Sequence, residues 1–237
     1  MKKTFFILCC LVSLSGFSQT VDEVIKKYTD YMGGLDAFNK ISSAKLSGIV
    51  TSQGSEFPLT TQLINGKAMR TDVEIMGQTV TNCYFNGKGW KINPLAGVTS
   101  PTEISGGELY DFKIQCSMAS QLMDYKARGH QVEKLGDETT DGIKAFKIKL
   151  TSKEDSKVTS FYISTVDYTL IKSVTSRQIQ GQDMDVETYY SDLKDIGGVK
   201  FFMSRDSKIE GEVFQSIKFE KIELNVTIDE KIFEMPK

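Results

Sequence analysis

From residue 143 to residue 224 the chain alternates apolar and polar side chains in short runs. Phe146-Lys147-Ile148-Lys149-Leu150 does so strictly, and Met184-Asp185-Val186-Glu187-Thr188 repeats the pattern. A period of two places one face of each run in a core and the other in water. Six runs follow one another, at 143–150, 158–164, 170–178, 184–190, 199–205 and 213–224. Between them lie turn clusters such as Glu154-Asp155-Ser156, Gln180-Gly181-Gln182, Gly197-Gly198 and Glu210-Gly211-Glu212. Runs this close, with no helical stretch between them, must pair antiparallel with their neighbours. The pattern predicts one meander with a single apolar face. In its last run Ile217 and Phe219 share one parity, while Ile222 and Leu224 take the other. A β-bulge near Glu220-Lys221 would bring both pairs to one side and let the sheet curl, as a half-closed barrel requires.

The earlier half predicts strands at 44–51, 57–64, 67–76 and 78–85, with a hairpin turn at Asn65-Gly66, where both residues tolerate positive φ. A second tight turn, Asn86-Gly87-Lys88-Gly89, leads into Trp90, the chain's one tryptophan, expected to cap an end of the core. Helical periodicity occurs in two places. Thr20-Val21-Asp22-Glu23 is a capping box, followed by Val24, Ile25, Tyr28 and Met32 on one face. Gly33-Gly34 ends that helix, and a short second one is expected over 35–40. From 105 to 126 a longer helix is expected, opened by a second capping box at Ser105 and Glu108. It is apolar on two sides: Leu109, Phe112, Cys116, Ala119 and Met123 form one stripe, and Ile114, Met118, Leu122 and Tyr125 another. One side can rest on the sheet, and the other needs a different cover. Extended structure resumes after Gly129, and Phe233 serves as a final plug. The expected fold class is mainly β with helices (α+β), a curved antiparallel half-barrel closed by helices, in one domain over 19–237.

Composition narrows the possible functions. Lys2-Lys3, the apolar run from Phe5 to Leu14 and Ser15-Gly16-Phe17-Ser18 read as a secretory signal peptide cleaved after residue 18. That run is too short to span a bilayer, and no later stretch is long enough to anchor the chain. Cys9 and Cys10 lie inside it without the small residues that cleavage at a lipidated cysteine needs. The expectation is a soluble, exported, periplasmic protein. Removal of the leader leaves 27 basic and 31 acidic residues, a charge of about −4. The two signs are interspersed, so nothing forms the basic stripe that nucleic acid needs. Of the four cysteines, Cys83 and Cys116 remain. They could pair as a disulfide between an early strand and the middle helix, or stand as two buried thiols. Their spacing does not point to a metal.

Catalytic constellations are hard to assemble. His130 is the one histidine, at a helix-to-strand junction where a solvated ring is expected. It cannot supply a His-based zinc site alone, and no Gly-x-Ser-x-Gly elbow accompanies it. The glycine pairs lack the Lys-Ser/Thr of a phosphate-binding loop. Asp183 and Asp185 share the wet face of one run. The expectation is a non-enzymatic protein without cofactor or metal.

Two stretches, Asn86-Gly87-Lys88-Gly89-Trp90-Lys91-Ile92-Asn93-Pro94 and Ile228-Asp229-Glu230-Lys231-Ile232-Phe233-Glu234-Met235-Pro236, resemble the LolA/LolB-like superfamily. The likeness is to its outer-membrane lipoprotein-sorting-protein-like members of the Bacteroidetes type. Tyr28 to Gly34 and the late hairpin from Tyr190 to Phe201 are similar to segments of those members. The resemblance implies a half-open antiparallel barrel closed by helices around an apolar cavity for acyl chains. In the bacterial carrier an arginine just before a Pro-Asn turn helps gate lipid release. Here Gln62-Leu63-Ile64 precede Asn65-Gly66, and Arg70 lies beyond the turn.

The expected function is binding of an apolar ligand, the acyl chains of a lipid or lipoprotein, between sheet and helical lid, with a role in outer-membrane lipoprotein sorting. The expected lining from the helix is Phe112, Met118, Leu122 and Met123. From the strands it is Phe146, Ile148, Met184, Val186 and Met203. Such pockets are mostly apolar with few polar anchors, and methionine adapts to irregular ligands. The alternative is an interaction module with a filled core, whose rim or strand edge engages an envelope or outer-membrane protein.

Overall fold

One antiparallel sheet carries the whole architecture in the computed structural model, which describes residues 19–179 and 181–236. Residues 1–18, on which the signal-peptide expectation rests, lie outside the described residues. The sheet begins with β1 Ser43–Ser52, β2 Ser55–Ile64, β3 Ala68–Ile75, β4 Gln78–Phe85, β5 Lys88–Asn93 and β6 Val98–Ile104. It continues with β7 Gln131–Thr140, β8 Ile143–Thr151, β9 Val158–Ser164 and β10 Leu170–Ile179, then β11 Gln182–Ile196, β12 Val199–Ile209 and β13 Glu212–Leu224. The strand order is β6-β5-β4-β3-β2-β1-β13-β12-β11-β10-β9-β8-β7, so two meanders join where β1 pairs β13. The sheet does not close, and β6 and β7 remain as edges. β6 was not expected from the sequence. Its Pro101 argues against a central strand but is tolerated at an edge, where one side needs no ladder bond.

The phase break of the last strand is a bulge, as expected. Ser47 pairs Lys221 and Gly48 pairs Phe219, which leaves Glu220 as the extra residue. Ile217, Phe219, Ile222 and Leu224 consequently all join one core cluster. A Cβ on Gly48 would lie 2.1 Å from the Lys218 carbonyl oxygen, so glycine is required for this close approach.

The helices depart from expectation. α1 Val21–Tyr31 carries the expected capping box, with Thr20 and Glu23 bonded reciprocally, and α2 Leu35–Lys40 follows. The continuous helix over 105–126 does not form. It is divided into α3 Gly106–Gln115 and α4 Tyr125–Arg128. The β2–β3 hairpin tip breaks it. The Gly66 amide donates to the Cys116 carbonyl at 2.8 Å, and the Met118 amide donates to Asn65 Oδ1 at 3.0 Å. Asn65 Nδ2 also donates to the carbonyls of Ile41 (2.8 Å) and Phe38 (3.3 Å), clamping α2 to the same point. The second capping box is likewise absent: Ser105 makes no side-chain cap bond, and Glu108 binds the Lys91 ammonium at 2.7 Å.

The inner face holds two apolar clusters. α1, α2, the Ala119 to Tyr125 segment and strands β8–β10 form the first. α3 with β1–β4, β12 and β13 forms the second. Met118, Phe201 and Leu224 touch both. A third cluster of Ala68, Cys83, Trp90 and Phe233 lies on the outer face, because Ala68 alternates with the inward Met69 and Cys83 with the inward Tyr84. Trp90 therefore does not cap the inner core. Its Nε1–H donates to the Phe233 carbonyl at 2.9 Å and helps dock the C-terminal tail. Arg70 adds a bond from Nη1 to the Ile232 carbonyl at 2.9 Å.

The candidate disulfide is not formed. Both cysteines are free and buried, Cys83 in the outer cluster and Cys116 on α3 over the inner face, with the sheet between them. Burial pushes each thiol up to about 12.

Phe233→Ala should cost roughly 3–5 kcal/mol, the usual range for emptying a buried phenylalanine site, while the half-exposed Met235→Ala should cost little. Equal urea midpoints for the two variants would contradict the docked tail. Gly48→Ala should lose roughly 1–3 kcal/mol by overpacking against β13, and an unchanged thermal midpoint would show that the approach is looser than described.

Candidate functional site

Register brings a polar patch together on the inner face where the two clusters meet. Ser173 lies opposite Thr188, Thr188 opposite Ser207, and Ser207 opposite Gln215, so four neutral polar residues form one row across β10–β13. In the next row Tyr190 lies opposite Arg205, and Arg205 opposite Ile217. Arg205 is in phase with Phe201 and Met203 along β12, so it faces inward with them.

The guanidinium carbon of Arg205 stands 5.1 Å from the centre of the Phe219 ring, a cation–π contact. The Tyr190 hydroxyl lies 2.9 Å from Ser173 Oγ. Tyr28 approaches from α1: burial raises its pKa to about 12, a hydrogen bond with Ser120 opposes this, and the nearby Tyr190 adds to it. Among the described residues no carboxylate lies within 4.0 Å of Arg205, and no hydrogen bond to its side chain is formed. Burial lowers its pKa, and the group stays cationic because a free guanidinium titrates so far above neutrality. Enclosing a cation without a counter-charge costs on the order of several kcal/mol. Arg205 nonetheless keeps partial exposure, as do Tyr190, Phe201, Ile217 and Met118, so this part of the inner face is reachable.

The nine residues expected to line a pocket are distributed unevenly. Leu122 and Ile148 are fully enclosed in the first cluster, with Met123 and Phe146 beside them. Phe112 and Met203 are buried in the second cluster. Met118 is partly buried and bridges the two. Val186 is buried in neither cluster. Met184 stands apart, on an open concavity of about 410 Å³ between the β10–β11 and β12–β13 turns, with Asp183, Asp185 and Glu210. Sequence reasoning missed Arg205, Tyr190 and Ser173. The available signal was a charged residue in phase with Phe201 and Met203.

His130 is not the solvated ring expected. Its side chain is wholly buried, Nδ1 accepts the Lys153 amide at 3.2 Å, and Nε2 has no partner among the described residues. Burial lowers its pKa, while the Glu154 carboxylate, 3.9 Å away, opposes the shift. A smaller depression of about 250 Å³ lies alongside, lined by Gly129, Gln131, Ser152 and Lys153. No group of three or more His, Cys, Asp or Glu among the described residues could hold a metal ion.

No protein-family model matches the chain, and no curated protein does. Solved structures do. A LolA superfamily protein from Nitrosomonas europaea superimposes with a TM-score of 0.61 at 13% identity, covering 92% of this chain and 98% of that one. A DUF1329 family protein from Desulfovibrio piger gives 0.58 at 13% identity over 92% and 98%. A domain named for outer membrane lipoprotein sorting, from Vibrio parahaemolyticus, gives 0.57 at 10% identity over 90% and 95%. At such identities the likeness is one of fold. The chain has the LolA-like fold that its two sequence motifs resemble. Among the described residues no helix is long and apolar enough to cross a membrane.

The buried His130 fixes one pH dependence. Its folded pKa lies below the ordinary value of about 6.5, so below that pH the unfolded chain takes up a proton that the folded chain refuses. Stability should fall as pH drops below about 6.5 and stay level above it on this account. His130→Asn keeps an acceptor for the Lys153 amide and removes the titration, so its urea midpoint should lose this slope. An identical slope in the variant would assign the effect elsewhere.

Proposed function

We propose that the chain is an exported, non-enzymatic envelope protein that holds acyl chains of a lipid or lipoprotein against the inner face of its half-barrel. The observation that carries this reading is the seam between the two inner clusters. There Met118, Phe201 and Ile217 keep partial exposure although helices and the 117–124 segment lie over the sheet. The fold likeness to a LolA superfamily protein and to a lipoprotein-sorting domain supports the same reading. Within it, Phe112, Met118, Leu122, Met123, Phe146, Ile148, Val186 and Met203 supply the apolar floor, and Met184 a flexible wall near the hairpin tips. The seam opens as the partly buried Met118 and Phe201 change rotamer, which leaves the fully enclosed side chains as scaffold. A periplasmic location follows from the signal peptide expected over residues 1–18.

The rival reading is a filled interaction module for an envelope protein, favoured by the complete enclosure of Leu122 and Ile148. A series of fluorescent fatty acids of increasing length separates the two. Each buried methylene contributes about 0.8 kcal/mol, so affinity should rise roughly fourfold per methylene until the seam is full. Protein purified from a periplasm should carry lipid in native mass spectrometry. A bare mass together with affinity indifferent to chain length would favour the module.

A further inference from the structure

The inner face of β10–β12 has a charge asymmetry that its packing does not explain. The inward positions of β10 from Ser173, of β11 up to Tyr190 and of the facing part of β12 from Arg205 hold two cations, Arg177 and Arg205, and no acid. Arg177 is exposed near the hairpin tip, whereas Arg205 sits among Phe219, Tyr190 and Ile217. On the outer face of the same strands acids outnumber cations, and the partly buried lysine has an acid partner. There Lys172 Nζ lies 3.1 Å from Glu187 and 3.2 Å from the Tyr189 hydroxyl. Arg205 has only a ring face and neutral neighbours.

Its position also matters. Along β12 the inward residues run Phe201, Met203, Arg205, Ser207, from the apolar seam to the row of Ser173, Thr188, Ser207 and Gln215. At about 3.4 Å per residue, Phe201 lies roughly 14 Å from Arg205 along the same inward row. Arg205 thus stands where an apolar floor gives way to hydroxyl and amide groups. A guanidinium offers several fixed donors, matched to the paired oxygens of a carboxylate or phosphate.

We propose that Arg205 is a binding site for the anionic head of a single-chain amphiphile, with Tyr190 and the Ser173–Thr188–Ser207 row completing its hydrogen bonds. The alkyl tail lies along the seam past Met203 and Phe201. This rests on the acyl-binding reading and adds a selection within it: a chain ending in a free anion is preferred over the same chain with a neutral head. Carboxylate and phosphate heads share the chemistry that Arg205 recognises.

The test uses the mature chain with hexadecanoate, hexadecyl phosphate and hexadecanol, in the wild type and in Arg205→Gln and Arg205→Met. The wild type should bind both anions roughly tenfold to hundredfold more tightly than the alcohol, the range of charge-assisted hydrogen bonds. Which anion binds better identifies the head, as a fatty acid or a phosphate monoester. Both variants should bind all three ligands at about the alcohol's affinity. Arg205→Met should raise the thermal midpoint of the ligand-free protein, since it removes an uncompensated cation. A structural role for Arg205 would lower that midpoint instead and would overturn the proposal. Equal wild-type affinity for anion and alcohol would overturn it while leaving acyl binding intact. Failure to bind any of the three would remove both.

Discussion

The pairing of β1 with β13 is the contact on which the remaining structure depends. Every other pairing in the sheet joins consecutive strands. β1–β13 alone brings residues such as Ala44 and Leu224 together, closing a loop that spans most of the chain. It needs the missing Cβ of Gly48 and the extra residue at Glu220, because the two backbones meet too closely for a side chain there. Without it, two separate meanders would each expose an unpaired edge. With it, their inner faces merge, and α1, α2 and α3 can all lie on one surface.

The Asn65-Gly66 turn sets the second constraint. By taking the Cys116 carbonyl and the Met118 amide, it ends α3 and turns the chain aside. That resolves the two-sided apolar pattern of 105–126. Phe112 and Cys116 pack into the second cluster, and Ala119, Leu122, Met123 and Tyr125 into the first. A continuous helix would have left one stripe uncovered. On the opposite face the tail through Phe233 covers β3–β5, where Arg70 and Trp90 receive it. The two stretches that resemble the superfamily meet in this outer cluster, which explains why they mark the fold and say little about a ligand.

Electrostatics separates the faces more sharply than hydrophobicity does. Outside, lysines lie over aromatic rings and beside acids, as Lys208 does over Tyr189 and Lys147 with Glu138. Such partly exposed pairs are nearly neutral for stability. Inside, hydroxyl rows carry no formal charge, and Arg205 is the sheltered cation at their border. An unbalanced cation in a sheltered place costs stability in the ligand-free protein.

Much of the fold was legible in the sequence because period-two alternation, turn chemistry and the Thr20 capping box are local signals. The strands after residue 143, the bulge at Glu220 and the hairpin at Asn65-Gly66 all followed from them. The break after Gln115, the burial of His130 and the outward docking of Trp90 did not, since each depends on a partner far away in the sequence. The candidate site divides in the same way. The apolar lining was readable as a pattern, but the sequence could not separate scaffold such as Ile148 from reachable residues such as Met118. Arg205 was visible only as a charge in an inward phase. Its lack of an acid partner among the described residues is a property of four strands brought into register, and register across strands is decided only when the sheet assembles.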